Sequence, residues 1–203
     1  MKNIKTKSLI LLLILSSNLH ADVAVFPEKE WESKMPDSVG IEGEKVEYLF
    51  DLAFQDQATQ SAVLIKNGYI IKERYSESFD QESYGTSWSM AKSFYAALIG
   101  ISIDRGEINS LDDKVSDYVD YYNDERSEIT IRQILNMTSG LDFPENEHES
   151  MFFRHDQIAY VKDVGVEKLP EQVFEYNNVN SMIVGEILKN ATGISAEILL
   201  EDR

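Results

Sequence analysis

The most informative stretch of this chain is Ser87-Trp88-Ser89-Met90-Ala91-Lys92-Ser93-Phe94. Ser89 and Lys92 are three residues apart, and the apolar run from Phe94 to Ile103 that follows predicts a helix. Positions i and i+3 of a helix share a face, so the hydroxyl and the amine should lie side by side. The positive end of the helix dipole favours an alkoxide, and a lysine one turn further on can accept the serine's proton. The pattern therefore predicts a nucleophile and a base on one helical turn.

Ser-x-x-Lys also has a structural interpretation, because many helices begin with a capping serine followed by a solvated lysine. The motif is a catalytic hypothesis only when the rest of the chain supplies a fitting context. The motif by itself therefore fits either a catalytic pair or a helix cap followed by a solvated lysine.

Composition limits the classes of partner. The chain has 203 residues, of which 43% are hydrophobic, and this length predicts one domain with a sizeable core. Its formal net charge of −17 argues against nucleic acid and anionic membrane surfaces as partners. The chain has no cysteine, which excludes disulfides, a thiolate nucleophile and Cys-based zinc sites.

The first 21 residues have the pattern of a secretory signal peptide. Basic residues at positions 2, 5 and 7 precede an apolar run from Leu9 to Leu15, and small residues lead to a possible cleavage after Ala21. The run is too short to span a bilayer, although an uncleaved anchor is the alternative. We expect residues 1–21 to be a signal peptide and residues 22–203 to form one exported domain, periplasmic or extracellular, without stable membrane association after cleavage.

Several further elements can be predicted in order. Residues 22–44 read as an extended arm, and apolar residues from Val46 to Phe54 recur at helical spacing. Asn67-Gly68 between two β-branched runs predicts a hairpin over residues 61–75. A buried helix is predicted from residue 91 to 105, and another from an N-cap at Thr130 to Gly140. Residues 142–172 read as a long acidic and aromatic loop that forms a cleft wall. An amphipathic helix then follows, ending near Gly193.

Four segments together carry a resemblance. They are the Asn-Gly hairpin, Ser89-x-x-Lys92, the run Asn136-Met137-Thr138-Ser139-Gly140-Leu141, and Tyr176-x-Asn178. In this order and spacing the chain resembles the serine β-lactamase and penicillin-recognising superfamily over residues 45–200. It looks most like the class C β-lactamase-related branch of esterases, D-aminopeptidases and nylon-oligomer (6-aminohexanoate) hydrolases. The resemblance implies an α+β fold of three α/β/α layers, with an antiparallel central sheet flanked by helices and an all-helical subdomain.

The resemblance also implies roles for individual residues. Ser89 would be the acylated nucleophile, Lys92 its proton-accepting partner and Tyr176 a second proton relay. Tyrosine is a poor base unless its pKa falls, which a nearby lysine ammonium would cause. Asn178 would contact the substrate or hold Lys92, and the backbone N–H of Ser89 would form half of an oxyanion hole. The substrate would be a small amide, ester or lactam, and no cofactor is implied.

The chain departs from the family pattern in two places. The usual Pro-Gly before the Tyr-x-Asn segment is Pro170-Glu171 here, which puts the geometry of that turn in question. The family's third motif and last strands would follow Arg203, so we expect this sequence to be the N-terminal part of a longer hydrolase. We expect the piece by itself to be inactive, with an exposed sheet edge and a bare apolar helix face.

Other chemistry has little support in the sequence. His148 and His155 lack a third ligand at zinc spacing, so we expect no metal site. Two alternatives to a serine hydrolase remain. One is a non-catalytic penicillin-recognising sensor or binding module, and the other is a peptidoglycan D,D-carboxypeptidase or transpeptidase.

Overall fold

The computed structural model describes residues 25–143 and 151–203, and the predicted signal peptide at 1–21 lies outside them. The chain divides into two compact units, Met1–Gly85 and Thr86–Arg203. Within the described residues no helix combines the length and the apolar character that a membrane span requires. We describe each unit separately.

The first unit is built on the predicted hairpin. Strand β1 (Ser61–Lys66) pairs antiparallel with strand β2 (Tyr69–Tyr75), with a register irregularity after Leu64. Asn67 and Gly68 adopt positive φ angles of 53° and 83°, which this two-residue turn requires. A Cβ at Gly68 would lie 1.5 Å from the carbonyl oxygen of Val25, so only glycine fits there. The hairpin prediction is confirmed.

Helix α1 (Gly43–Ala53) accompanies the hairpin in the first unit. Phe50 is buried on its apolar face. Glu47 on α1 forms an ion pair with Lys72 on β2 at 2.7 Å, and Asp51 forms one with Arg74 at 2.8 Å. These carboxylates are largely exposed, so each pair contributes little stability and the apolar contacts hold the helix.

The predicted arm at 22–44 contains more structure than expected. Pro36–Val39 forms a 3-10 helix that ends at Gly40 in the left-handed conformation. Ser33 forms an isolated parallel bridge with Ile70. Proline fits the first turn of a helix because its missing N–H has no intrahelical acceptor there, which explains why this segment begins at Pro36.

The second unit is helical and contains the main core. The helices whose full range is described are α2 (Ala91–Asp104), α3 (Ile131–Leu135), α4 (Gln157–Lys162), α5 (Asn178–Thr192) and α6 (Ala196–Asp202). Helix α5 is central, because it packs against each of the other four. Its buried face carries Ile183, Val184, Ile187 and Leu188, which matches the amphipathic pattern predicted for this helix.

Three predictions about these helices need correction. The helix that begins at Thr130 ends at Leu135 rather than Gly140, because Met137 turns into the left-handed region with φ 58°. The stretch 142–172 contains helix α4, capped by Asp156, and is not wholly irregular. Helix α2 is fully buried only at Leu98, Ile99 and Ser102, whereas the sequence predicted burial on most sides.

Arg126 anchors the loop between α2 and α3, a role that the sequence did not reveal. Its buried guanidinium donates to the carbonyl oxygens of Lys162 and Val164 at 2.8 and 2.9 Å, and it pairs with Asp124 at 2.7 Å. It also lies 4.7 Å from the centroid of the Tyr122 ring. A buried charge with this many partners holds the loop against the end of α4.

Candidate active site

Ser89 and Lys92 lie side by side at the start of α2. The Lys92 Nζ donates a hydrogen bond to the Ser89 Oγ at 3.2 Å. Ser89 lies in a short 3-10 helix, Trp88–Met90, that leads directly into α2, rather than on the first turn of the α-helix as predicted. The i, i+3 relation survives this change, because the 3-10 turn also places such side chains together. Ser89 is exposed and Lys92 is half-buried, so the hydroxyl is open to a substrate.

The residue before the serine has an unusual backbone. Trp88 adopts φ 45°, in the left-handed region that a bulky side chain rarely occupies. Such a conformation costs about 1–3 kcal/mol and is found preferentially at functional sites. It turns the chain sharply just before Ser89, and thereby places the serine at the mouth of α2.

Tyr176 faces the Ser89–Lys92 pair. The Lys92 Nζ lies 5.1 Å from the centroid of the Tyr176 ring. Hydrogen bonding from Ser89 lowers the pKa of Tyr176, and the hydrogen bond and positive charge of Lys92 act in the same direction, while partial burial opposes them. The sequence predicted a lowered pKa from the lysine alone, and the Ser89 hydroxyl is the larger cause. The three predicted proton-handling groups therefore come together.

The segment before Tyr176 is held by the run that follows α3. The backbone N–H of Glu171 donates to the carbonyl oxygen of Thr138 at 2.8 Å, and that of Glu175 donates to the carbonyl oxygen of Met137 at 2.9 Å. Glu171 itself adopts φ 67°, so it takes the left-handed conformation at the place where the family pattern has glycine. The turn thus keeps the backbone conformation that glycine would give. The Asn136–Leu141 run and the segment before Tyr176 are in direct contact through these backbone hydrogen bonds.

Two buried asparagines flank this arrangement. Asn177 caps α5 by accepting from the Val179 N–H at 2.9 Å, and its Nδ2 donates to the carbonyl oxygen of Leu141 at 3.0 Å. Asn180 accepts a hydrogen bond from the Ser139 hydroxyl at 2.6 Å. Neither role was predicted from the sequence, although a capping asparagine before a helix is a recognisable signal.

Asn178, the fourth predicted site residue, occupies the first position of α5. It is half-buried and lines a cavity of about 530 Å³ together with Lys92. This position is compatible with contact to a substrate beside the lysine. The N-cap of α5 is the preceding residue, Asn177.

The structure shows no metal-binding cluster in its described part. Groups of three or more His, Cys, Asp or Glu side chains that could hold an ion do not occur among residues 25–143 and 151–203. His155 is exposed, and His148 lies outside the described residues. The groups that come together at Ser89 are a hydroxyl, an amine and a phenol.

A sequence model of the Beta-lactamase family matches residues 55–203, which is most of the chain. The chain belongs to the beta-lactamase family. The matched range contains Ser89, Lys92, Tyr176 and Asn178. This membership confirms the predicted superfamily of serine hydrolases and penicillin-recognising proteins.

Similar proteins agree with this family and its fold. The protein flp of Staphylococcus aureus is 30% identical over 112 residues, which are 51% of this chain and 22% of that protein. A provisionally assigned 6-aminohexanoate-dimer hydrolase of Bacillus anthracis superimposes with a TM-score of 0.64 at 20% identity, over 86% of this chain and 52% of that one. A provisionally assigned β-lactamase of Bacteroides dorei DSM 17855 gives a TM-score of 0.65 at 22% identity, over 79% of this chain and 50% of that one.

The chain therefore spans about half the length of these two solved structures and about a fifth of the staphylococcal protein. Within that span the predicted α+β, β-lactamase-like fold class is confirmed by the helices, the antiparallel pair of strands and the structural neighbours.

We predict that Tyr176 titrates below the ordinary tyrosine pKa of about 10. In the full-length protein, Ser89→Ala should raise this pKa by removing the larger hydrogen bond, and Lys92→Met should raise it by removing the positive charge. Labelling tyrosines with ¹³C at Cζ and following the Tyr176 resonance by NMR against pH measures this directly. Tyr118, whose pKa is raised to about 12 mainly by burial, is the internal control and should not move. An unchanged Tyr176 pKa in both variants would contradict the assigned cause.

We also predict that neighbouring asparagines differ sharply in their contribution to stability. Asn177→Ala removes the cap of α5 and leaves the Leu141 carbonyl oxygen without its donor, so it should lower the free energy of unfolding by about 3 kcal/mol. Asn178→Ala is the matched control and should change it by less than about 0.5 kcal/mol. Urea unfolding of the full-length protein, followed by circular dichroism, measures both. Equal effects of the two substitutions would refute the assignment of the cap.

Proposed function

We propose that this protein is a serine hydrolase that cleaves an amide or ester bond through an acyl-enzyme on Ser89. The observation that carries the proposal is the 3.2 Å contact between the Lys92 Nζ and the Ser89 Oγ, with Tyr176 on the same site. Membership of the beta-lactamase family supports hydrolase chemistry at a coarse level. The assignment of roles to these three residues is our own.

The proposed reaction has two half-reactions. In acylation the Ser89 Oγ attacks the carbonyl carbon of the substrate, and its proton passes to the Lys92–Tyr176 pair. The bond to the leaving nitrogen or oxygen breaks, and the leaving group takes up that proton. In deacylation a water molecule gives its proton to the same pair and attacks the acyl carbon. The ester bond to Ser89 breaks, and the serine regains its proton.

Lys92 and Tyr176 are best regarded as one proton-handling unit. The Lys92 Nζ lies 5.1 Å from the centroid of the Tyr176 ring, so we assign the proton taken from Ser89 to the two side chains together. The lowered pKa of Tyr176 brings the phenol nearer to the range in which a base operates at neutral pH. This is why tyrosine, ordinarily a weak base, can serve in the site.

Three observations bear on the class of substrate. Asn178 lines the cavity beside Lys92, and we assign it to substrate contact. The net charge of −17 disfavours polyanionic substrates. The sequence Trp88-Ser89-Met90-Ala91-Lys92 resembles that of nylon-oligomer hydrolases. The similar Bacillus anthracis protein is provisionally assigned as a 6-aminohexanoate-dimer hydrolase. We therefore favour a linear amide or ester over a β-lactam.

We predict that a fluorophosphonate probe labels the full-length protein on Ser89. Ser89→Ala should abolish labelling and reduce p-nitrophenyl ester turnover by at least about 10³-fold, because the nucleophile is lost. Tyr176→Phe should reduce kcat by about 10²–10⁴-fold through loss of proton transfer. Ser93→Ala, which removes an exposed serine on α2 four residues after Ser89, is the matched control and should keep wild-type turnover.

Labelling at Ser89, combined with two further assays, separates the hydrolase from the two alternative functions. Wild-type protein that binds a penicillin reversibly but never labels at Ser89 would indicate a non-catalytic binding module. Labelling combined with release of D-alanine from a D-alanyl-D-alanine peptide, and no turnover of small esters, would indicate a peptidoglycan D,D-carboxypeptidase.

We further propose that the chain is exported and that residues 1–21 are removed. The basic start, the short apolar run and the small residues before Asp22 support this. Expression of the native gene in a bacterial host should give a mature protein that begins at Asp22 and is found outside the cytoplasm, as measured by intact mass and cell fractionation. Replacing Leu12 with Arg should block processing, because it interrupts the apolar run. Recovery of an unprocessed wild-type chain from the cytoplasm would contradict the proposal.

A further inference from the structure

The second unit contains a large cavity beside the proposed catalytic pair. It has a volume of about 530 Å³ and is bounded by α2, α5, the start of α6, and the residues Phe152 and Ile158. This volume lies within the range of small-molecule sites, which is about 300–1,000 Å³.

The cavity is continuous with the site. Lys92, whose amine contacts the Ser89 hydroxyl, forms part of its wall. Trp88 and Ala91, which lie on either side of Ser89 in the chain, also line it. Ser89 does not itself line the cavity, so an acyl group bonded to Ser89 would enter it past Lys92.

Many of the side chains that line the cavity are apolar. Aromatic side chains come from Trp88, Tyr95 and Phe152, and aliphatic ones from Ala91, Ile158 and Met182. Charged side chains are also present on the lining. Of these, Lys189 and Glu197 are exposed and keep their charges in water, and Glu186 accepts a hydrogen bond from the Tyr121 hydroxyl at 3.2 Å. Apolar side chains therefore dominate the wall away from Lys92, although the buried Ser181 hydroxyl on the same wall has no hydrogen-bond partner among the described residues.

We propose that this cavity binds the acyl part of the substrate and selects an apolar acyl chain. The inference rests on the proposed acyl-enzyme at Ser89. The acyl group stays bonded to Ser89 through both half-reactions, so apolar contacts with it stabilise both transition states. The leaving group, which departs after acylation, does not need this cavity.

Gly185 is a position at which a substitution can narrow the cavity. It lies inside α5, lines the cavity, and an added Cβ would lie 3.5 Å from the Tyr95 Cε1, an ordinary van der Waals contact. Gly185→Ala should therefore be tolerated, whereas Gly185→Leu places a larger side chain in the cavity.

The test uses the full-length protein and p-nitrophenyl acetate, butyrate, hexanoate and octanoate, which share one leaving group. Because burial of each methylene group is favourable, kcat/KM should rise about fourfold per added methylene until the cavity is filled. Gly185→Leu should reduce kcat/KM for octanoate by at least about tenfold and leave acetate within about twofold. Gly185→Ala should change both only slightly.

A second variant covers the case in which Gly185→Leu does not fold. Phe152→Ala removes an exposed aromatic side chain from the wall and should flatten the chain-length dependence without affecting acetate. Circular dichroism and the urea midpoint verify that each variant is folded.

Three outcomes would overturn the inference while leaving the proposed hydrolase intact. They are a chain-length dependence that is absent in the wild type, equal loss of acetate and octanoate turnover in both wall variants, and selectivity for the alcohol rather than the acyl chain in a matched series of acetate esters. Absence of any ester turnover together with absence of fluorophosphonate labelling would overturn the proposed function, and the inference with it.

Discussion

The side chain of Asn177 is the contact on which the arrangement of the site depends. One buried amide satisfies the Val179 N–H at the start of α5 and holds the carbonyl oxygen of Leu141 at the same time. An uncapped helix end and an unpaired buried carbonyl would both be costly. The asparagine removes both costs, and it therefore ties the start of α5 to the run that follows α3. Tyr176, the residue just before it, inherits a defined position.

This support explains why two separate motifs belong together. The run from Met137 to Leu141 provides carbonyl oxygens to Glu171, Glu175 and Asn177, and these flank or adjoin the tyrosine. Asn180 adds a second tie through the Ser139 hydroxyl. The segment after α3 thus has no direct part in the proposed chemistry. It acts as the surface on which the Tyr176 segment is held.

The nucleophile is positioned by a different kind of constraint. Trp88 takes a strained left-handed backbone, and the 3-10 turn that follows places Ser89 beside Lys92. The strain is local, and α2, in which Leu98 and Ile99 are buried, packs against α5. In the proposed mechanism, the exposed hydroxyl faces a half-buried amine and a phenol, and the proton moves without movement of the backbone. The proposed role of the neighbouring cavity is to select the acyl group.

Much of this could be predicted from local sequence. Asn67-Gly68 determined the hairpin, Ser89-x-x-Lys92 determined the side-by-side hydroxyl and amine, and the Thr130 N-cap determined the start of α3, because each depends on residues a few positions apart. The end of α3 at Leu135, the buried roles of Asn177 and Arg126, and the exposed side of α2 could not be predicted. Each of them depends on contacts between segments tens of residues apart, which no local pattern encodes. The sequence by itself therefore determined which groups are available for chemistry. Only the tertiary structure decided that Tyr176 meets Ser89 and Lys92, because that meeting requires α2 and α5 to pack and a buried asparagine to hold the start of α5.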